Sequence, residues 1–309
     1  MTVPPALKPP ALRPGATIGI AAVSSPPDPE RLDAGIDYLR STGYRIREAS
    51  NLRLREGFLA GGDAARAAGY RELLRDPEVS AIFFARGGHG ASRILDLLDA
   101  EEMVRHPKIH LGGSDLTALF ALLWRAAGLV TFYGPMVAVE MAAAPELDWE
   151  EVLSGGTPAP HRFPAEGVLA RGAAEGPLLG GCLSLLAALA GTPHALHGEG
   201  AVLFWEDVGE EAYRLDRMLT QLDRSGTFKR LQGMVIGSIA PRNGDRAERP
   251  PTLQSWLVDA FARAAFPVVE GFPSGHLPRP RTIPLGSRVR LVAEDSGALE
   301  FLGHAVETS

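Results

Sequence analysis

The chain has 309 residues, too many for one ordinary core and about right for two domains. With 45% hydrophobic and 22% charged residues it has a globular composition, and its net charge of −6 speaks against nucleic acid or an anionic membrane as the main partner. The single cysteine, Cys182, excludes an intrachain disulfide and gives no sign of an oxidising compartment.

The N-terminal stretch "MTVPPALKPPALRPG" is proline-rich and lacks the apolar centre of a signal peptide. The best apolar run, Leu116 to Val130, is broken by Arg125 and falls short of the roughly 18 residues that a spanning helix needs. A cytoplasmic protein is the expectation.

Short apolar runs then alternate with helical patterns. "TIGIAAV" (17–23) reads as a buried strand and the stretch from about Pro29 to Thr42 as a helix. "YRIREA" is a second strand, and "DAARAAGYRELLRD" (63–76) a helix with Asp63 placed as its N-cap. "SAIFFA" (80–85) is a third strand, broken by "RGGHG" (86–90) before the helix "ASRILDLLD". "KIHLGG" is a fourth strand, "DLTALFALLWRAAG" a helix and "LVTFYG" a fifth strand. Strands separated by helices imply a mostly parallel sheet with helices on both faces.

From about Ala144 to Glu175 the pattern weakens, and "LSGGTPAPHRFPAEG" is the best linker signal in the chain. The domains are therefore expected at 1–165 and 166–309. The second half reads as a helix over "GPLLGGCLSLLAALAGTP", ended by Gly191 and Pro193, and a strand "AVLFWE" (201–206). The helix "EAYRLDRMLTQLDRSG", the strand "GMVIGSI" and the helix "TLQSWLVDAFARA" follow. The tail "TIPLGSRVRLVAEDSGALEFLG" alternates around a turn at Asp295–Gly297 and reads as a closing hairpin.

In an open parallel sheet, ligands sit beyond the carboxyl ends of the strands. Three features fall there. "LGGSDLTALFALL" has the order of a nucleophile elbow, strand, glycines, Ser114, helix, but Leu116 stands where that motif has its second glycine. The same residues fit a helix capped by Ser114 or Asp115, and on this stretch alone both readings stand. "AVLFWEDVGEEAYRLDRML" ends an apolar strand on Glu206 and Asp207, while Glu210 and Glu211 are the acids that any helix start favours. Among eight histidines, His276 follows the strand "FPVVEGF" in a loop of Ser, Gly and Pro, and His89 lies in the glycine turn. His106 and His110 read as surface or strand residues, His194 and His197 as a solvent-exposed pair with no carboxylate near in sequence, and His161 and His304 as linker and terminus. Cys182, in an apolar run, reads as a packed thiol beside the alternative of a nucleophile. The order Ser, Glu, His is that of the α/β-hydrolases.

Together these motifs resemble the LD-carboxypeptidases, the muramoyltetrapeptide carboxypeptidase family of serine peptidases, which also contains the microcin-immunity peptidases. The resemblance runs through "LRPGATIGIAAVSSP", "FFARGGHGASRILD", "LGGSDLTAL", "LLGGCLSLLAALAGTP", "LFWEDVGEEAYRLDRMLTQL", "GMVIGS" and "SGH…TIPLG". It implies two α/β domains, the first a flavodoxin-like parallel sheet, with a triad assembled across their interface and a homodimer. It implies Ser114 as nucleophile, Glu206 as acid and His276 as base, with oxyanion donors in the backbone amides of Asp115 and Gly88. No metal or organic cofactor is implied. The family usually has Tyr at the position of His89 and Asn at that of Cys182, which bears on substrate choice and leaves the triad untouched.

The implied reaction releases the terminal D-alanine of a murein tetrapeptide during cell-wall recycling. Arg86 is a candidate for the D-Ala carboxylate, beside the alternative of a surface ion pair. Peptidyl- or aminoacyl-nucleotide conjugates are the rival substrates; they call for an aromatic surface, and Trp149 is the nearby tryptophan. A reading from another class is a non-catalytic protein that closes on a small peptide, against which stand three competent triad residues.

Overall fold

The computed structural model describes residues 6–143, 146–240 and 253–308. The first five residues, Ala144 at the start of the weakly patterned stretch, and Thr252 at the start of an expected helix lie outside the described residues. The chain divides into two compact bodies, one of Pro4–Thr157 with Pro278–Gly286 and His304–Ser309, the other chiefly of Pro158–Leu277 and Ser287–Gly303. The division thus falls after Thr157 rather than near 165, and two later segments return to the first body.

In the first body, β1 (Thr17–Ala21) is buried throughout. The next element, α1 (Pro29–Ser41), starts where Asp28 accepts a hydrogen bond from the Arg31 amide and Pro29 supplies a preset φ; Leu32, Ile36 and Leu39 form its buried stripe. After β2 (Arg45–Glu48) comes α2 (Asp63–Arg75). Gly62, not Asp63, occupies the N-cap of α2; the Asp63 carboxylate instead pairs with Arg66 and Arg93. β3 (Val79–Phe84) is followed by a 3-10 helix over Ala91–Leu97 where an α-helix is expected, then by α3 (Ala100–Arg105) and β4 (Ile109–Gly112). A 3-10 turn at Ser114–Leu116 opens into α4 (Thr117–Ala127), which Gly128 ends in the left-handed region. β5 (Thr131–Tyr133) and the short α5 (Trp149–Leu153) complete the run.

β1 to β5 pair in parallel in the order 2-1-3-4-5, the flavodoxin-like arrangement, with its strand-order reversal between β1 and β3. In the second body come β6 (His161–Phe163), β7 (Val168–Ala170), β8 (Gly172–Cys182), α6 (Leu183–Leu189) and β9 (Val202–Val208). The weakly patterned stretch from about 144 to 175 therefore contains α5, β6, β7 and the start of β8, and the linker signal at 153–167 holds β6. Then follow α7 (Ala212–Arg224), β10 (Gly233–Ala240), α8 (Leu253–Phe261) and β11 (Val268–Glu270). β12 (Ile283–Leu285) belongs to the first body, where it pairs antiparallel with β5 at the sheet edge; it is not part of the tail hairpin. The hairpin itself is β13 (Arg288–Ala293) with β14 (Gly297–Phe301). The second sheet runs β6-β14-β13-β8-β9-β10-β11-β7, and its central β8 to β11 are parallel.

The largest correction is at "GPLLGGC", which is strand rather than helix. A side chain at Gly180 would collide with the Phe204 carbonyl of the neighbouring strand, and its φ of +139° suits glycine alone. The α-helix starts only after Cys182 and ends at Leu189. Among the described residues, no helix is long and apolar enough to cross a membrane.

Candidate active site

Four chain turns leave the carboxyl ends of β1, β3, β4 and β5 in the first body, on the edge where an open parallel sheet binds ligands. Ser114 stands in the turn after β4 with φ +59°, one of two non-glycine residues in the left-handed region among the described residues. Such a conformation costs on the order of 1 kcal/mol or more and persists where the surroundings impose it. Here they do. The Ser114 amide donates to the Tyr133 hydroxyl at 2.7 Å, and the Ser114 carbonyl accepts from Thr117 Oγ1 at 2.7 Å. Ser114 therefore does not act as an ordinary side-chain helix cap: no side-chain cap bond is made at the head of this turn or of α4.

The glycine turn after β3 lies against it. A Cβ on Gly87 would stand 2.8 Å from Ser114 Cβ, 3.1 Å from its Oγ and 3.2 Å from the Asp115 nitrogen. The missing side chain thus lets the Gly87–Gly88 peptide approach the serine. Gly88, at φ +108°, packs on Ser25, whose Oγ accepts a hydrogen bond from the His89 amide at 3.1 Å. The expected donors, the amides of Asp115 and Gly88, are accordingly carried by two turns in contact. The His89 ring is exposed and tilts against that of Phe58, with centroids 5.5 Å apart.

Arg86, at the base of the glycine turn, is half-buried. Among the described residues it makes no ion pair, and its buried Nε has no hydrogen-bond partner. The surface ion pair considered for it from sequence is not present there.

The Asp115 side chain is fully buried. Its Oδ2 accepts from Ser24 Oγ at 2.6 Å and from the Ala91 amide at 2.8 Å. Arg66, also fully buried, donates to the carbonyls of Gly61, Val23 and Gly90 and pairs with Asp63. Sequence reading did not single out Ser24, Arg66, Gly87 or Tyr133. Ser24, Gly87 and Tyr133 carry the signal of lying at the carboxyl ends of β1, β3 and β5, whereas Arg66, inside α2, carries none.

In the second body, Glu206 is fully buried on β9. Its Oε2 accepts from His276 Nδ1 at 2.7 Å and from the His276 amide at 3.2 Å. A carboxylate acceptor fixes the proton on Nδ1 and puts the basic lone pair on Nε2. Gly275, at φ +113°, makes room for this pairing, since a Cβ there would stand 2.6 Å from both Glu206 Oε2 and Ser238 Oγ. Gly237 does the same from β10, where a Cβ would come within 3.0 Å of Glu206 Cβ.

Cys182 ends β8 and pairs in register with Glu206. Its thiol contacts Ser184 Oγ at 3.2 Å and donates to Asp207 Oδ2 at 3.5 Å. Burial first, and then the carboxylates of Glu206 and Asp207, push the thiol up, so it is not poised as a thiolate nucleophile. Burial likewise raises the Asp207 carboxyl, against the hydrogen bond from the Ser184 amide at 2.7 Å.

Two further residues weighed from sequence are both fully buried, Trp149 against its reading as an aromatic surface and His110 on a strand, as its reading as a surface or strand residue allows. Trp149 is fully buried between Tyr44 and Phe83, so it offers no surface to a nucleobase. His110 is fully buried in β4, bonded to the Tyr70 hydroxyl at 2.9 Å and the Lys108 carbonyl at 2.9 Å, and takes no part in the site.

Comparison with known proteins shows the family of the chain. Residues 18–134 match the LD-carboxypeptidase N-terminal domain and residues 175–291 the LD-carboxypeptidase C-terminal domain. A Bacillus subtilis protein named "Probable murein peptide carboxypeptidase" is 34% identical over 95% of this chain and 94% of its own. The Escherichia coli microcin C7 self-immunity protein MccF is 24% identical over 90% of each chain. The crystal structure of muramoyltetrapeptide carboxypeptidase from Oxalobacter formigenes superposes with a TM-score of 0.84 at 28% identity, covering 94% of this chain and 99% of that one. By these matches to both of its domains, the chain belongs to the LD-carboxypeptidase family.

Proposed function

We propose that this protein is a serine carboxypeptidase that hydrolyses an L–D peptide bond and releases the terminal D-alanine of a murein tetrapeptide. The observation that carries the reading is the buried Glu206 carboxylate bonded to His276 Nδ1 at 2.7 Å, an acid-oriented base with its lone pair on Nε2. Ser114 in its left-handed turn supplies the nucleophile, and the three residues act as one triad. The names of the B. subtilis and O. formigenes relatives support the substrate class.

In this mechanism His276 Nε2 takes the Ser114 proton as Oγ attacks the carbonyl preceding D-alanine. The amides of Asp115 and Gly88 stabilise the tetrahedral oxyanion, each worth about 3–4 kcal/mol in a comparable site. His276 then protonates the leaving amine, and a water activated by His276 hydrolyses the acyl-enzyme. The Arg86 guanidinium, without an acidic partner among the described residues, receives the D-Ala carboxylate. His89 shapes the pocket beside the glycine turn. The family resemblance adds a cytoplasmic homodimer acting in cell-wall recycling.

The test is mass spectrometry of the protein incubated with L-Ala-γ-D-Glu-meso-diaminopimelate-D-Ala, with Ser114→Ala alongside. Loss of one alanine is expected with wild type, and the variant should lose on the order of 10⁶ in kcat if the triad acts as a unit. A loss below about tenfold overturns the nucleophile. Turnover of a nucleotide-linked aminoacyl conjugate with none of the tetrapeptide overturns the substrate class; the buried Trp149 weighs against that outcome.

A further inference from the structure

One peptide unit in the first body is gripped at both ends by buried side chains of opposite charge. The Gly90 carbonyl accepts from Arg66 Nη1 at 2.8 Å, and the Ala91 amide donates to Asp115 Oδ2 at 2.8 Å. Both side chains are 0% exposed. That peptide closes the glycine turn 86–90, which begins against Ser114, while Asp115 is the residue after Ser114. The same Asp115 oxygen accepts from Ser24 Oγ at 2.6 Å, and Arg66 also holds the Val23 carbonyl. The ends of β1, β3 and β4 are therefore joined through one carboxylate and one guanidinium. A Cβ on Gly90 would stand 2.8 Å from Arg66 Nη1, so the guanidinium is pressed directly on the turn.

A carboxylate with no solvent contact is costly unless it does something that an apolar residue cannot. Packing alone does not account for Asp115, because its second oxygen, Oδ1, is buried without a hydrogen-bond partner. Burial pushes its carboxyl up, and the Ser24 and Ala91 hydrogen bonds and the nearby His89 and Arg66 pull it back. Oδ2 is the oxygen that works: one donor, Ser24, lies just past the end of β1, and the other, Ala91, opens the 3-10 helix that follows the glycine turn.

We propose that the Asp115 side chain is a positioning residue for the oxyanion site: with Arg66 it clamps the Gly90–Ala91 peptide and so fixes the spacing between the Gly88 and Asp115 amides. The inference rests on the serine-peptidase reading above. Its effect appears in the transition state and not in substrate binding, since both clamp side chains are fully buried and neither bonds to the Ser114 hydroxyl.

The test compares Asp115→Asn, Asp115→Ala and Ser24→Ala in the full-length protein, with D-alanine release from the tetrapeptide normalised to serine sites titrated with a phosphonate. Asparagine can place its carbonyl oxygen at Oδ2 and keep both hydrogen bonds, so it is expected within about tenfold of wild type in kcat. Alanine loses both, and a donor misplaced on the scale of 1 Å costs roughly 10²-fold in kcat with KM within about threefold. Ser24→Ala, which removes one of the two bonds and keeps the carboxylate, is expected to lower kcat about fivefold at unchanged KM, and it carries the test if Asp115→Ala does not fold. Alanine at 115 with kcat within threefold per titrated site, asparagine as poor as alanine, a loss confined to KM or to the folded fraction, or Ser24→Ala with unchanged kcat overturns the proposal. Failure of the functional reading looks different: the wild type releases no alanine, or Ser114→Ala releases it equally well.

Discussion

Gly87→Ala isolates the contact between the glycine turn and Ser114 on which the proposed oxyanion geometry depends. Gly87 is not among the residues of positive φ, so alanine fits its backbone and any effect comes from the added methyl group. That methyl would sit 2.8 Å from Ser114 Cβ, 3.1 Å from its Oγ and 3.2 Å from the Asp115 nitrogen. Relaxing the carbon pair to an ordinary separation of about 3.5 Å separates the two turns by about 0.7 Å. The fold should lose about 1–3 kcal/mol, as for other overpacked sites. A displacement of that size at the reacting atom lowers kcat by roughly 10². The assay is D-alanine release per phosphonate-titrated serine, with the melting temperature measured in parallel. A variant whose kcat stays within threefold of wild type would refute the argument that Gly87 holds the oxyanion peptide against the serine.

Two predictions concern the fold that carries the site. His110 is buried and neutral, its pKa lowered to about 4 chiefly by loss of solvent. In the unfolded chain it takes its proton near its ordinary pKa of about 6.5, so stability is intact above that pH and is lost as pH falls toward 4. At pH 5 the loss from this residue is about 2 kcal/mol, and urea unfolding should show that share vanishing in His110→Asn; an equal acid loss in both proteins contradicts it. Gly180→Ala separates the strand from the helix reading of "GPLLGGC". In a helix the change stabilises by roughly 1 kcal/mol, whereas a Cβ colliding with the Phe204 carbonyl should abolish cooperative unfolding, as circular dichroism during heating would show.

The alternation of apolar runs and helical patterns is enough to read the five parallel strands of the first sheet, because β1, β4 and β5 are buried throughout and a helix such as α1 has a stripe of Leu32, Ile36 and Leu39. The same rule misread β8. Its apolar run continues into the leucines of α6, and periodicity cannot tell a fully buried strand from a buried helix. The two glycines at 180 and 181 were the signal, since they mark a close backbone approach. β12 escaped for another reason: its partner β5 lies about 150 residues earlier, and nothing local in "TIPL" says which sheet it joins. At the candidate site, Ser114, Glu206 and His276 stand near strand ends in the sequence, which left Ser114 open between cap and nucleophile; their proposed roles come from the family resemblance. Arg66 and the side chain of Asp115 were not, because their partners, Gly90, Val23, Ala91 and Ser24, come together only after folding.

The measurement that bears most directly on the central claim is peptide mapping of the protein after titration with a fluorophosphonate, with D-alanine release followed in the same samples. One phosphonyl group per chain on Ser114, with activity falling in step and labelling lost in His276→Ala, is the predicted result. Ser114 fully modified with hydrolysis intact, or activity lost with the label on another residue, would contradict it.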